Sequence, residues 1–264
     1  MAEPMEVEEE QALDIYREFV PGVFWVGGCL IVRFRTPNIH SHMSAYVVRG
    51  SQRTLFVDTG HPKDWPRVRE HIDDLVGDRG LDYIFPTHQE YPHAGNLGLL
   101  LRAYPEATVV GDVRDYHAYF PAFADRFRKV APGEHLDLGD REFVVLPAPL
   151  RDLPSTLWGY DTRARVMFVS DGFAYSHQHL AGECDRMSEE LGRDPSEEEI
   201  TFVNERALHW TKFVDSDPMF DEVADLLDRY PADFIAPAHG NVISNPDAVV
   251  PLMRTMMGQL QKAF

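Results

Sequence analysis

The chain has 264 residues, 44% of them hydrophobic, and a formal net charge of −18. Its length suits one large domain or two small ones, and its acidity excludes a protein that grips phosphate backbones, which needs clustered Lys and Arg. No apolar run reaches the roughly 18–20 residues that span a membrane.

The first ten residues, MAEPMEVEEE, carry five glutamates and no basic residue. They read as an acidic flexible tail, not a signal peptide. Residues 11–264 are expected to form a single domain. DIYREFV alternates, PGVFWVGG follows a turn, and SAYVVRGSQRTLFVDTG reads as two apolar strands around Gly50–Ser51. In WPRVREHIDDLVGD, the residues Val68, Ile72 and Val76 share one helical face. LDYIFPTH is a short buried strand ending at His88, and GNLGLLLRAYP a helix that Pro105 ends. ATVVGD is another strand, and an aromatic-rich stretch follows it. REFVVLPA, STLWGYD and ARVMFVSD are three more strands.

From about 176 to 230 the pattern turns helical, as an insert. Ser196 and Glu199 have capping-box spacing. Asp217–Pro218 starts a helix whose apolar face carries Phe220, Val223, Leu227 and Tyr230. ADFIAPAHG is a strand ending at His239. Asn245–Pro246 opens a last helix with Val249, Leu252, Met256 and Leu260 down one side. This order of strands and helices predicts an α/β or α+β sheet protein. Cys29 and Cys184 lie far apart in sequence and offer no disulfide framework, CxxC pair or Cys-rich zinc site, so a reducing cytoplasm is the expected compartment.

Four apolar strands end alike, at Asp58, His88, Asp171 and His239. Rigid strands that deliver ligand-type side chains to one sheet edge can position a metal site accurately. The loop FPTHQEYPHAGN adds Glu90 and His93. With LFVDTG, the SD strand end and APAHG, it resembles the metallo-β-lactamase superfamily from about Val20 to Phe264. It is most similar to the diiron domain of flavodiiron proteins, whose loop reads H-x-E-x-D-H. The resemblance implies an αββα sandwich of two mixed sheets flanked by helices. It implies that His88 and Glu90 bind a first metal, His93 and His239 a second, and that Asp171 bridges both. Two positions depart from the family: Pro92 stands where an aspartate binds the second metal, and Asp152 where a histidine binds the first.

Proline cannot ligate through its side chain. The second metal would keep His93, His239 and Asp171, a two-histidine, one-carboxylate triad. The first would have His88, Glu90, Asp152 and Asp171, unless Asp152 is simply a loop aspartate before Pro154. One or two divalent ions are expected: iron, zinc or manganese. Asp58 would orient a histidine from behind. His40, His42, Tyr91, Trp158 and His177 are candidates for the pocket, although H-x-H on a strand also suits a solvent-facing pair and the aromatics also suit a core. His61 and His179 are open in the same way.

Three functions follow. The first is a metal-dependent hydrolase with metal-bound hydroxide attacking a small uncharged or aromatic ester, lactone or activated aryl ether, with Asp152 and Asp171 as the catalytic carboxylates. The second is a stand-alone diiron protein of flavodiiron type that binds or reduces dioxygen or nitric oxide. Only 25 residues follow His239, so no flavin domain is expected in this chain and an external reductase would be required. The third is an inactive or regulatory subunit. A homo- or hetero-oligomer is expected in each case, and neither nucleic acid nor membrane is an expected partner.

Overall fold

The computed structural model describes residues 14–32, 39–178 and 182–262. The acidic tail and His179 lie outside them. Two sheets form the centre. The first has seven strands in sequential order: β1 (Asp14–Val20), β2 (Val23–Val32), β3 (Ile39–Arg49), β4 (Thr54–Val57), β5 (Tyr83–Phe85), β6 (Thr108–Gly111) and β7 (Phe127–Lys129). Strands β1 to β4 pair antiparallel, and β4 to β7 parallel. The second sheet runs β12 (Phe234–Ala236), β11 (Val166–Phe168), β10 (Leu157–Asp161), β9 (Glu142–Pro147) and β8 (His135–Asp137). Only β11 and β12 pair parallel in it.

Among the described residues seven α-helices accompany the sheets: α1 (Trp65–Val76), α2 (Tyr91–Ala94), α3 (Leu97–Ala103), α4 (Tyr116–Tyr119), α5 (Glu197–Ala207), α6 (Asp217–Arg229) and α7 (Pro246–Lys262). The period-two alternation of the strands sorts their side chains into layers. Trp25, Tyr46, Leu55 and Phe85 from one sheet meet Phe143, Val145 and Phe168 from the other. The opposite faces of the same strands, with Val47, Phe56 and Ile84, pack under Val68 and Ile72 of α1 and Leu97 and Leu100 of α3. Val144, Trp158, Met167 and Ile235 pack under Phe220 and Val223 of α6 and Val249, Met253 and Met257 of α7. Both sheets are therefore mixed, and helices cover both outer faces, which is the αββα sandwich.

Local details adjust the expected elements. The capping box at α5 is present, with Ser196 and Glu199 bonding reciprocally. The buried stripe of α7 runs through Val249, Met253 and Met257, one position later than Leu252 and Met256, because an apolar helix surface wider than one row lets tertiary packing choose its centre. On α6 the buried position is likewise Leu226, with Leu227 at the border. Strands β7 and β8 have three residues each, too few for an alternation to register. Among the described residues no helix is long and apolar enough to cross a membrane.

The parallel pairs β4–β5 and β11–β12 bring their carboxyl ends together. Asp58 directly follows β4, while His88, Asp171 and His239 each stand three residues beyond β5, β11 and β12. Backbone bonds lock this edge: Asp58 N to Phe85 O at 3.0 Å, Ala238 N to Ser170 O at 2.7 Å, and Ser44 N to Ala238 O at 2.9 Å.

Candidate metal centre

The carboxylate of Asp171 divides its two oxygens between two sets of donors. Oδ2 lies 3.5 Å from His88 Nε2, which is itself 3.4 Å from Asp152 Oδ2. Oδ1 lies 3.5 Å from His93 Nε2 and 3.2 Å from His239 Nε2. Two donors each about 2.1 Å from a shared ion stand about 3.0–3.4 Å apart, close to these spacings. Glu90 completes the first set: one ligand atom each from His88, Glu90 and Asp152 fall within 4.8 Å of one another, as do those of His88, His93 and Asp171.

Each imidazole is fixed through Nδ1, so that Nε2 faces the site. His239 Nδ1 donates to the His42 carbonyl at 2.7 Å. His93 Nδ1 donates to Asp58 Oδ2 at 3.0 Å. His88 Nδ1 meets Ser170 Oγ at 3.0 Å, Ser170 Oγ meets Thr87 Oγ1 at 2.8 Å, and Thr87 Oγ1 donates to Asp58 Oδ1 at 2.8 Å. A hydroxyl that donates to a carboxylate must accept from its next neighbour, so the chain runs from His88 through Ser170 and Thr87 to Asp58. Metal-bound histidines are held in this way. Asp58 and Ser170 both adopt left-handed backbone, with φ of 57° and 54°, a conformation that costs an ordinary residue about 1–2 kcal/mol. Two of the four non-glycine residues with left-handed backbone among the described residues are thus ones that steer the imidazoles.

The buried atoms test whether this set suits metal ions. His88 Nε2, His93 Nε2 and Asp171 Oδ1 are buried without a hydrogen-bond partner, an expensive arrangement in a core and the one a ligand set requires. Burial drives the His88 imidazole down to about 2, helped by the neighbouring His93 charge. Burial also acts against charge on His93, but Asp58 and Asp171 outweigh it and hold that imidazole well above the usual histidine range. Asp171, despite its burial, is held well below the usual carboxylate range by His93 and His239. Asp152 is pushed up to about 6 by burial and then by the charge of Asp171. Three imidazoles and three carboxylates in two sets sharing one carboxylate fit a pair of first-row divalent ions.

The other expected residues fall in different places. Asp152 sits in the β9–β10 connection with Oδ1 accepting from Leu153 N at 2.7 Å and Thr156 Oγ1 at 3.1 Å, so Oδ2 is the atom turned to His88. Pro92 occupies the first turn of α2, where its ring costs no backbone bond. Glu90 and Tyr91 are exposed. Trp158 is a correction: alternation along β10 turns its ring into the core beneath the helices. His61 caps the short turn before α1 by accepting from Lys63 N. His40, His42 and His177 gather instead with Cys29 and Cys184. The two cysteines are distant only in sequence, and the fold sets both beside His42. Thr87 and Ser170 were not singled out by the sequence reading, although each immediately precedes a predicted ligand.

The sandwich and a histidine–carboxylate centre at one sheet edge define a member of the metallo-β-lactamase superfamily, close to the diiron domain of flavodiiron proteins. The chain belongs to the ODP family beta lactamase, whose sequence model matches residues 41–240. It is 26% identical over 249 residues to a coenzyme F420H(2) oxidase of Methanothermobacter marburgensis, covering 87% of this chain and 58% of that protein. It is 25% identical over 223 residues to an anaerobic nitric oxide reductase flavorubredoxin of Salmonella typhi, covering 80% of this chain and 44% of that protein. The chain thus spans only about half the length of these curated relatives. Among solved structures, a fragment of diflavin flavoprotein A 5 from Nostoc sp. PCC 7120 superposes with a TM-score of 0.74 at 16% identity, over 95% of this chain and 97% of that one. Rubredoxin oxygen:oxidoreductase from Desulfovibrio gigas superposes with a TM-score of 0.71 at 18% identity, over 94% and 61%; both likenesses speak to the fold alone.

These relatives overturn the expected hydrolase, since they are named as an oxidase and a reductase. The preference for hydrolysis rested on the expected lack of a flavin domain and on the changes at Pro92 and Asp152 in the redox ligand set. Asp152 instead stands within ligand distance of His88, and the Asp171 Oδ1 side keeps two imidazoles.

Proposed function

We propose that this domain holds two iron ions and binds and reduces dioxygen or nitric oxide. The observation that carries the reading is the division of Asp171 between two donor sets, in a chain whose sequence relatives are named as a coenzyme F420H(2) oxidase and a nitric oxide reductase. His88, Glu90, Asp152 and Asp171 would hold the first ion, and His93, His239 and Asp171 the second. The iron pair, when bound, supplies the electrons and the binding site for a diatomic ligand. A two-histidine, one-carboxylate set leaves open positions of the kind found in oxygen-handling iron proteins.

The protein's own residues do the positioning. Asp58 and the His42 carbonyl aim His93 and His239, and Ser170 aims His88. His88, His93 and Asp171 are almost wholly shielded from water, whereas His239 and Glu90 reach the surface. A small ligand therefore enters past His239 and Glu90. Pro92 adds no carboxylate there, which keeps the entry side of the second set open and less negative. Reducing equivalents would come from an electron-donor protein or flavin unit docking from outside residues 14–262.

The test is elemental analysis of the purified chain, followed by chemical reduction and exposure to dioxygen or nitric oxide. The expected result is about two irons per chain, with gas consumed by the reduced protein and a visible spectrum that changes on exposure. Iron-free protein that takes up only zinc, or reduced iron protein that leaves both gases unconsumed and its spectrum unchanged, would refute the reading.

A further inference from the structure

A second group of ligand-type side chains lies outside the Asp171 centre. Cys29 near the end of β2, His42 in β3 and Cys184 each place a ligand atom within 4.8 Å of the other two, and Cys29, His40 and His177 do the same. Cys29, His42, His177 and Cys184 are all at most 2% exposed. Cys29 Sγ is 3.2 Å from His40 Nδ1. The rings of His42 and His177 lie 4.2 Å apart. Two thiols and three imidazoles thus form two overlapping triads that share Cys29, all of them buried except the half-buried His40.

The backbone holds those stretches in place. His40 and His177 form a bridge through N–H···O bonds of 2.9 and 3.0 Å. The stretch before Gln178 is tied to α5: Ser176 N donates to Glu199 O at 3.0 Å, and Asn204 Nδ2 donates to Ala174 O at 2.9 Å. Beyond Cys184, Asn241 Nδ2 donates to Arg186 O at 2.6 Å and Ser188 N to Val242 O at 2.9 Å. His42 Nδ1 donates to Gly240 O at 2.7 Å, which leaves Nε2 as the lone-pair nitrogen of the neutral ring.

We propose that Cys29, Cys184 and His42, with His40 or His177 as the fourth ligand, form a structural zinc(II) site. Two sulfurs and two imidazole nitrogens in a tetrahedron are the donor set that selects zinc, whereas the oxygen-rich Asp171 centre suits harder ions. Charge balance agrees. On binding, each thiol loses its proton to solvent and each sulfur gives an electron pair to the ion. Two thiolates and one divalent cation sum to zero, so a neutral unit replaces two buried thiols. In the metal-free chain the Cys29 thiol is pushed far up, first by its hydrogen bond with Cys184 and then by burial. The site staples β2, β3 and the segment that carries Cys184. It also stands behind the Asp171 centre, because the His42 carbonyl is the group that orients His239.

The experiment is a cobalt(II) titration of the reduced, metal-free wild-type chain, with zinc and iron analysis of the protein as purified. A thiolate-to-cobalt charge-transfer band in the near ultraviolet that zinc then abolishes is expected. The Asp171 centre has no sulfur and cannot produce that band. One zinc per chain is expected in the wild type, and none in Cys184→Ser, with iron content unchanged. Absence of the thiolate band in the wild type would overturn the proposal whether or not the variant folds. So would a non-reduced, denatured chain without titratable thiols, which would mean that Cys29 and Cys184 form a disulfide.

Discussion

His42 and His239 hold each other's strand ends: His239 Nδ1 donates to the His42 carbonyl, and His42 Nδ1 donates to the carbonyl of Gly240, each at 2.7 Å. His239 cannot rotate without breaking this part-buried bond, and its Nε2 lies 3.2 Å from Asp171 Oδ1. His239→Ala is expected to lose one of the two irons and nearly all gas consumption while the fold persists, because the residue lies in a loop beyond β12. Metal analysis beside a circular dichroism melt reads both effects, and unchanged metal content would contradict the assignment.

Asp58 holds His93 directly and His88 through two hydroxyls. Removal of such an orienting carboxylate typically costs about 10–100-fold in metal affinity or activity. Asp58→Asn should fall in or above that range because it touches both sets. Chelator competition measures it.

The Asp152 carboxyl is pushed up to about 6, so protons compete with the first metal below that pH. Metal affinity is expected to rise as pH increases through about 6. The sign for stability is opposite. A carboxyl that holds its proton more tightly folded than unfolded stabilises the fold at low pH, and that contribution is lost as pH rises through its folded value. Relative to Asp152→Asn, the metal-free protein should therefore lose thermal stability between about pH 4 and pH 6, an interval in which the depressed His88 imidazole acts in the opposite sense in both proteins. Melting curves of the two metal-free proteins across this range make the comparison.

Pro92 stands in the first turn of α2, directly before His93. Pro92→Asp would place a carboxylate at a position where an acidic side chain also suits a helix N-terminus. The expected outcome is slower loss of the second metal to chelator, with little change in melting temperature. Equal or faster loss would show that this position does not reach the ion.

Gly159 has no room for a side chain, since a Cβ there would lie 1.9 Å from Phe143 Cζ, a fully buried ring packed against Phe85 and Phe168. Overpacking of this kind costs about 1–3 kcal/mol. Gly159→Ala should lower the melting temperature and leave metal per folded chain unaltered.

Much of this architecture was legible in the residues. Strands such as Asp14–Val20 and Glu142–Pro147 announced themselves because both are rich in β-branched or aromatic residues bounded by turns, and Asp58, His88, Asp171 and His239 were conspicuous as polar endings to apolar runs. Thr87 and Ser170 were not, because a threonine before a histidine or a serine before an aspartate has no signature of its own and gains its role only when two sheets meet. Trp158 was open between pocket wall and core, and only the parity of β10 shows which layer receives the ring. The Cys29–Cys184 encounter was hidden for a different reason: their proximity depends on long-range pairing, which local spacing does not encode. Function was read least well, because the expected lack of a flavin domain and two altered ligand positions, weighed without their distances, were both counted against redox chemistry.

The directed hydrogen bonds that end on Asp58 bear on how the centre fills. One carboxylate fixes the tautomer of His93 through a single bond and that of His88 through a relay of two hydroxyls, so neither imidazole is ordered independently of the other. The first ion to arrive organises the lone pair awaiting the second, and loading should be cooperative, with half-filled molecules scarce at intermediate metal concentrations.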